Sequence, residues 1–184
     1  MKTSEKKVEI FDFTDRNRQE SARITQNFEW WSCKTREEKH MLTLSVDEIK
    51  STLLMAVFSY ENNEIIGAAG IFLPRTCDKS EPYLDGKKVV EIGTNFVLPD
   101  YRGNGIGESL IRERLKFAKE KNWVSVSISS NEVVQKIFRK VNGCLMEDHS
   151  CCEALRKTLC LRCNDRKENC KICPLFKDCS WVFF

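Results

Sequence analysis

One stretch constrains the fold more than any other. Val89 to Pro99 reads VVEIGTNFVLP, an apolar β-type run closed by a proline. Gly103, Gly105 and Gly107 follow at once. Then Ile106, Leu110, Ile111, Leu115 and Ala118 recur at helical spacing to about Lys121, with Glu108–Arg112 and Lys116–Glu120 as i,i+4 pairs on the wet side. The chain therefore runs from strand through a glycine turn directly into an amphipathic helix. The first N–H groups of such a helix have no intrahelical acceptor, and the positive end of the dipole lies beside them. Glycines let an anion come close to that backbone without meeting a Cβ. The spacing is not the G-x-G-x-x-G of a dinucleotide fold, and no Gly-Lys-Ser/Thr follows as in a P-loop. A turn with only a steric role is the alternative.

The remaining pattern supplies a mixed sheet. Residues 8–14 suit a first strand, and residues from Asp15 to about Trp31 a loosely periodic helix. Ser45 followed by Glu48 fits a capping box, which predicts a second helix over Ser45–Met55. Two apolar runs flank Glu61-Asn62-Asn63-Glu64 and predict a hairpin. Residues 75–88 read as a loop. Trp123–Ser129 alternates Val124, Val126 and Ile128 with Ser125, Ser127 and Ser129, and a last helix is expected from about Glu132 to Val141. No internal repeat is found. The expected class is α/β (α+β).

The turn Arg102-Gly103-Asn104-Gly105-Ile106-Gly107 resembles the Arg/Gln-x-x-Gly-x-Gly/Ala motif of the GNAT superfamily of acyl-CoA-dependent N-acetyltransferases. Val97-x-Pro99-x-Tyr101 is a common lead-in of that family, and Asn131-x-x-Val134-x-x-Ile137-Phe138 looks like its Asn-x-x-Ala-x-x-Leu-Tyr. The resemblance covers about residues 8–150, and its second half is the specific part. It implies a mixed, mostly antiparallel central sheet flanked by helices, with a GNAT domain over 1–150 and a small cysteine-rich appendage over 151–184. It also implies a site for acetyl-CoA. Main-chain N–H groups of residues 102–107 would hold the pyrophosphate, Phe96, Val97 and Leu98 would pair with the pantetheine arm, and Asn131 would bond the cofactor. In the family the two flanking strands splay to admit the thioester. The Ser125/Ser127/Ser129 face suits such a wet cleft; an exposed strand face is the plainer reading.

Amine acylation needs a neutral amine, whereas an alkylamine such as lysine has a pKa near ~10.4. A carboxylate can remove the proton, directly or through water. Glu91 is the leading base: by strict alternation it shares a face with Gly93, Asn95 and Val97, and some family members carry a catalytic glutamate there. Placement at an exposed strand start is the competing reading. Gly93 would admit a ligand to the backbone or mark a bulge. Phe138 stands where many members have a tyrosine that protonates the leaving thiolate, and it cannot donate a proton. The thiolate then leaves unaided, or Ser129, Ser130 or water substitutes, or the domain binds acyl-CoA without turnover. Trp30-Trp31 lies where members shape the acceptor pocket, with core packing as the default. His40 and His149 read as ordinary boundary histidines.

Of 10 cysteines, seven lie between Cys151 and Cys179. Cys160-x2-Cys163 and Cys170-x2-Cys173 form two knuckles that can deliver four thiolates to tetrahedral zinc. An iron–sulfur cluster on four of Cys160, Cys163, Cys170, Cys173 and Cys179 is second, and disulfides or a redox-sensing cluster third. Seven basic residues oppose three acidic ones from Leu155 to Phe184, so the tail carries +4 while the whole chain is +3. The remainder is −1, which does not support global polyanion binding and leaves a local role for the tail. Basic residues interleaved with Phe176, Trp181, Phe183 and Phe184 would suit nucleic-acid or protein docking; a C-terminal strand covering the domain explains the aromatics equally well. A homodimer stays open. At 41% hydrophobic and 31% charged, the 184 residues suit one folded domain plus an appendage. No apolar run reaches membrane-span length, and charges at the N-terminus leave no signal-peptide stretch, so a cytoplasmic protein without membrane contact is expected.

Overall fold

The computed structural model describes residues 6–15, 22–37, 44–74, 81–129, 132–145 and 180–183. In chain order the elements are β1 (Lys6–Asp12), α1 (Ala22–Glu37), α2 (Val46–Thr52), β2 (Leu53–Glu61), β3 (Glu64–Phe72), β4 (Tyr83–Leu84) and β5 (Lys87–Val97). A 3-10 turn over Pro99–Tyr101 then leads to α3 (Ile106–Glu120), β6 (Val124–Ser129), α4 (Glu132–Lys140), β7 (Cys144–Leu145) and β8 (Ser180–Phe183). The chain divides into two compact units: Met1–Phe72 with Ile92–Phe117, and Leu73–Glu91 with Ala118–Phe184.

In the first unit the strand order is β1-β2-β3-β5. β1 pairs antiparallel with β2, and β2 with β3. The hairpin between β2 and β3 closes on Asn62 and Asn63 at φ +51° and +68°, the two left-handed residues that a tight hairpin turn demands. The capping box is present: Ser45 N–H donates to Glu48 Oε2 at 2.9 Å, and Glu48 N–H to Ser45 Oγ at 3.1 Å. The helix it opens ends at Thr52 rather than Met55, because Leu53 begins a strand buried from end to end through Tyr60. Trp31 is fully buried among aromatics, with Phe58 and Phe72 each 5.8 Å away between ring centroids. Beside them, buried Asn27 Nδ2 donates to the Tyr60 hydroxyl at 2.8 Å.

In the second unit the order is β5-β6-β8-β7, with β4 paired to β5. β5 and β6 run parallel over Val89–Glu91 and Val124–Val126. β8 pairs antiparallel with both β6 and β7, so Ser180–Phe183 form a sheet strand, while Phe176 and Phe184 lie outside the described residues. Within the stretch expected to be a loop, Tyr83–Leu84 and Lys87–Lys88 make a hairpin around Asp85 and Gly86, at φ +49° and +74°. α3 ends on Asn122 at φ +56°: Asn122 N–H reaches Lys119 O at 3.0 Å and Trp123 N–H reaches Ala118 O at 2.9 Å. Asn142 and Gly143 close α4 by the same double bond pattern. The fold is a mixed α/β arrangement with mostly antiparallel pairing. Among the described residues no helix is long and apolar enough to cross a membrane.

Candidate active site

The strand-to-helix turn is built in three steps. Leu98 N–H donates to Ile66 O at 2.9 Å and anchors the end of β5. The 3-10 turn follows, with Tyr101 N–H on Leu98 O at 2.9 Å and Arg102 N–H on Pro99 O at 3.1 Å. A hydrogen bond to Glu61 raises the Tyr101 hydroxyl above its ordinary pKa and ties the turn to β2. The Arg102 side chain folds back, Nε–H donating to Val97 O at 3.0 Å.

Beyond Arg102 the backbone swings left-handed twice, at Gly103 (φ +80°) and Gly105 (φ +76°). A Cβ placed on either would meet nothing within 4 Å. Conformation, not crowding, therefore demands glycine, and the space in front of the turn is open. Gly105 O accepts Ser109 N–H at 3.0 Å, the first bond of α3, so the N–H groups of Ile106 and Gly107 stand in the first turn without an i−4 acceptor. Asn104 Nδ2 donates to Tyr101 O at 3.4 Å and steadies the loop. Exposed residues 102–105 and buried Ile106 give a main-chain cradle open to solvent, with an anchored floor. An anionic diphosphate fits that chemistry: several oriented donors, no Cβ in the way and a helix dipole behind them.

Strand β5 departs from regularity one residue past Gly93, the position where the sequence left a bulge open. Thr94 has φ +54°, a conformation costing a β-branched residue roughly 1–3 kcal/mol. The two-residue period that put Glu91 on one face with Asn95 and Val97 does not hold through such a residue. Alternation requires extended backbone throughout, so the shared face ends before Thr94. After Thr94, Asn95 Nδ2 donates to Gly107 O at 3.4 Å while its Oδ1 is buried without a partner among the described residues. Phe96 is buried and meets Trp30 edge-on at 5.7 Å. The sequence grouped Trp30 with Trp31; the structure gives Trp31 to the core and leaves Trp30 half-buried against Phe96.

In the second unit, Glu91 is the fifth residue of β5, only 8% exposed, paired with Val126 and flanked by Val90 and Ile92. It does not sit at an exposed strand start. Ser125 and Ser127 are each 2% exposed, so the plainer expectation of an open serine face is corrected for these two. Phe138 is buried on α4. Asn131, Ser130, His40, His149 and the cysteines Cys160, Cys163, Cys170 and Cys173 lie outside the described residues. Among the described residues no group of three or more His, Cys, Asp and Glu side chains could hold a metal ion.

One buried charge escaped the sequence reading. Arg114 is 1% exposed, and desolvation lowers its pKa to about 9. Its signal was available: Ile106, Leu110, Arg114 and Ala118 form a single i,i+4 row, so an arginine stands in the apolar stripe.

N-acetylglutamate synthase from Neisseria gonorrhoeae, solved with coenzyme A and N-acetyl-glutamate, superposes with a TM-score of 0.60 at 13% identity, over 96% of this chain. This chain spans about a third (34%) of that protein's length. Rv2747 from Mycobacterium tuberculosis, solved with CoA, gives 0.61 at 12% identity over 87% of this chain and 94% of that one. The putative acetyltransferase yncA from Salmonella typhimurium, with acetyl-CoA, gives 0.52 at 15%, over 75% and 80%. These likenesses show the fold. No curated protein matches the chain. The model of the Acetyltransferase (GNAT) family matches residues 16–143, most of the sequence, and the chain belongs to that family.

Proposed function

We propose that the protein is an N-acetyltransferase that moves an acetyl group from acetyl-CoA to a primary amine by direct attack. The observation that carries this reading is the turn from Arg102 to Gly107: two left-handed glycines with no neighbour within 4 Å of a Cβ placed on them, opening a helix whose Ile106 and Gly107 N–H groups have no i−4 acceptor. Residues 102–107 would hold the diphosphate, Phe96–Leu98 would offer main-chain groups to the pantetheine arm, and Asn131 would bond the cofactor. The amine nitrogen forms a bond to the thioester carbonyl carbon, the C–S bond breaks, the amine loses one proton and the thiolate gains one. Glu91 is the base in this reading; a buried carboxylate in the middle of an apolar strand suits a proton acceptor better than a solvated surface charge. Placing amine and thioester together supplies much of the rest of the acceleration. Calorimetry with coenzyme A, followed by an amine panel with a free-thiol readout, tests the reading; absence of heat with a folded protein refutes it.

A second reading is favoured by one residue. Phe138 gives no proton to a thiolate, so acyl-CoA binding with little turnover is the alternative. Tight CoA binding with no thiol release over a broad amine panel would select it.

For the C-terminal segment, four thiolates at Cys160, Cys163, Cys170 and Cys173 support a structural zinc, with an iron–sulfur cluster as the competitor. Elemental analysis of anaerobically purified protein decides between them, and a metal-free protein with free thiols rejects both. The +4 charge of residues 155–184 leaves a nucleic-acid or protein contact as a further role, tested by salt-dependent RNA or DNA retention with and without the segment. A cytoplasmic location is consistent with cysteines held as metal-binding thiolates.

A further inference from the structure

The guanidinium of Arg114 is a buried charge among the described residues of the first unit. It sits in the apolar stripe of α3, almost fully removed from water, with no carboxylate partner among the described residues. Burying such a charge is costly unless its donors are placed. They are placed on main-chain oxygens: Nε donates to Leu110 O at 3.0 Å, and Nη1 to Gly93 O at 2.9 Å and Gly70 O at 3.2 Å. Nη2 is buried with no acceptor among the described residues. Stabilising α3 alone would not need so long a reach, since Leu110 is on its own helix. The reach to β3 and β5 requires a reason.

Thr94 supplies it. The φ angle of Thr94 sets the orientation of the peptide joining it to Gly93, and the oxygen of that peptide is the one held by Arg114. A threonine keeps a left-handed conformation only where its surroundings over-determine it. From the same point β5 turns Asn95 toward Gly107, Phe96 toward Trp30 and the Val97 carbonyl toward Arg102. The Gly70 contact fixes β3 against the same guanidinium, and a Cβ on Gly67 would already meet Phe96 O at 3.2 Å. The two strands leave little slack at this point.

We propose that Arg114 is a positioning residue: by gripping the Gly93 and Gly70 carbonyls it holds the left-handed turn of Thr94, and through it the direction in which Phe96–Leu98 present their main-chain groups to the thioester arm. Arg114 touches no substrate in this account. The proposal rests on the acetyl-CoA reading for its consequence, but the restraint on Thr94 stands on the hydrogen bonds alone.

The test compares Arg114→Met, which keeps length and removes every donor, with the same change combined with Thr94→Gly, since glycine adopts a positive φ without strain. Hydrogen exchange and coenzyme A calorimetry are measured on both and on the wild type. Arg114→Met is expected to exchange the amides of residues 94–98 at least tenfold faster and to bind coenzyme A about tenfold more weakly, with kcat falling as well as KM rising. Adding Thr94→Gly is expected to recover most of the affinity. A folded Arg114→Met with wild-type exchange and wild-type affinity overturns the proposal, as does a loss that Thr94→Gly leaves untouched. Should Arg114→Met fail to fold, Arg114→Lys serves: its charge is kept, but its ammonium lacks the planar fork. At least threefold weaker binding is expected of it, and unchanged affinity with unchanged exchange overturns the proposal. A wild-type protein that binds no coenzyme A refutes the functional reading instead, and the exchange of residues 94–98 then decides the Arg114 restraint by itself.

Discussion

Substitution of Gly105 separates the two roles a glycine turn can play. Its φ of +76° is unfavourable for L-residues by roughly 1–2 kcal/mol. A Cβ there would meet nothing within 4 Å, so no clash adds to that cost. Replacing glycine also restricts the unfolded chain, which returns about 0.4–1 kcal/mol. Gly105→Ala should therefore lose only ~1 kcal/mol, a fall in Tm of about 2–4 °C for a chain of this size. Gly105→Asn should lose less, because asparagine visits the left-handed region readily. The open space that makes both variants tolerable is where the diphosphate would lie, so both should bind coenzyme A poorly. One charge-assisted hydrogen bond is worth about 1.5–3 kcal/mol, hence roughly ten- to a hundredfold in Kd. Calorimetry and thermal melts on the same samples read both quantities. A Gly105→Asn protein with near wild-type Tm and unchanged affinity would refute the placement of the anion at this turn. Loss of affinity only in step with unfolding would reduce the glycine to a steric device.

Other predictions concern Glu91, Glu9 and Ser45. Glu91→Gln should lower kcat/KM by about 10²–10⁴-fold, most severely at lower pH where the amine begins protonated; a flat pH–rate comparison with the wild type would count against a base at this position. Glu9 is held below its ordinary pKa: burial raises it, but the Lys7 hydrogen bond and the Arg23 charge together outweigh burial. Its contribution is then complete above the ordinary carboxylate pKa and disappears as acid protonates it, so Glu9→Gln should lower stability most in the neutral range, converge on the wild type as pH falls below about 4.3, and so make the acid loss of stability shallower. Ser45→Ala removes the side-chain half of the capping box and should cost about 1 kcal/mol in chemical denaturation, with no change in coenzyme A affinity.

The turn was legible because glycine, proline and helical periodicity each act locally. The capping box at Ser45 and the Asn62-Asn63 hairpin were legible for the same reason. Where a run fits both periods, the sequence misled. Leu53 to Phe58 continues the α2 stripe as readily as it begins a strand, and only its burial along β2 settles the boundary. α1 proves shifted to Ala22–Glu37, because its inward face carries Asn27, Ser32 and Thr35 among the apolar residues and blurs the periodicity. The Asp85-Gly86 pair was a hairpin signal passed over inside an expected loop. Gly93 allowed a bulge, but nothing local pointed to Thr94 itself as the left-handed residue: threonine favours extended strand, and the Gly93 carbonyl beside it is held by Arg114 from a distant helix.

The most direct measurement is a titration of isotope-labelled protein with coenzyme A, following the backbone amides one by one. The account predicts saturable shifts concentrated at Gly103, Asn104, Gly105, Ile106 and Gly107, with smaller ones at Phe96–Leu98. Binding that leaves those five amides unmoved, or no binding by a folded protein, would contradict it.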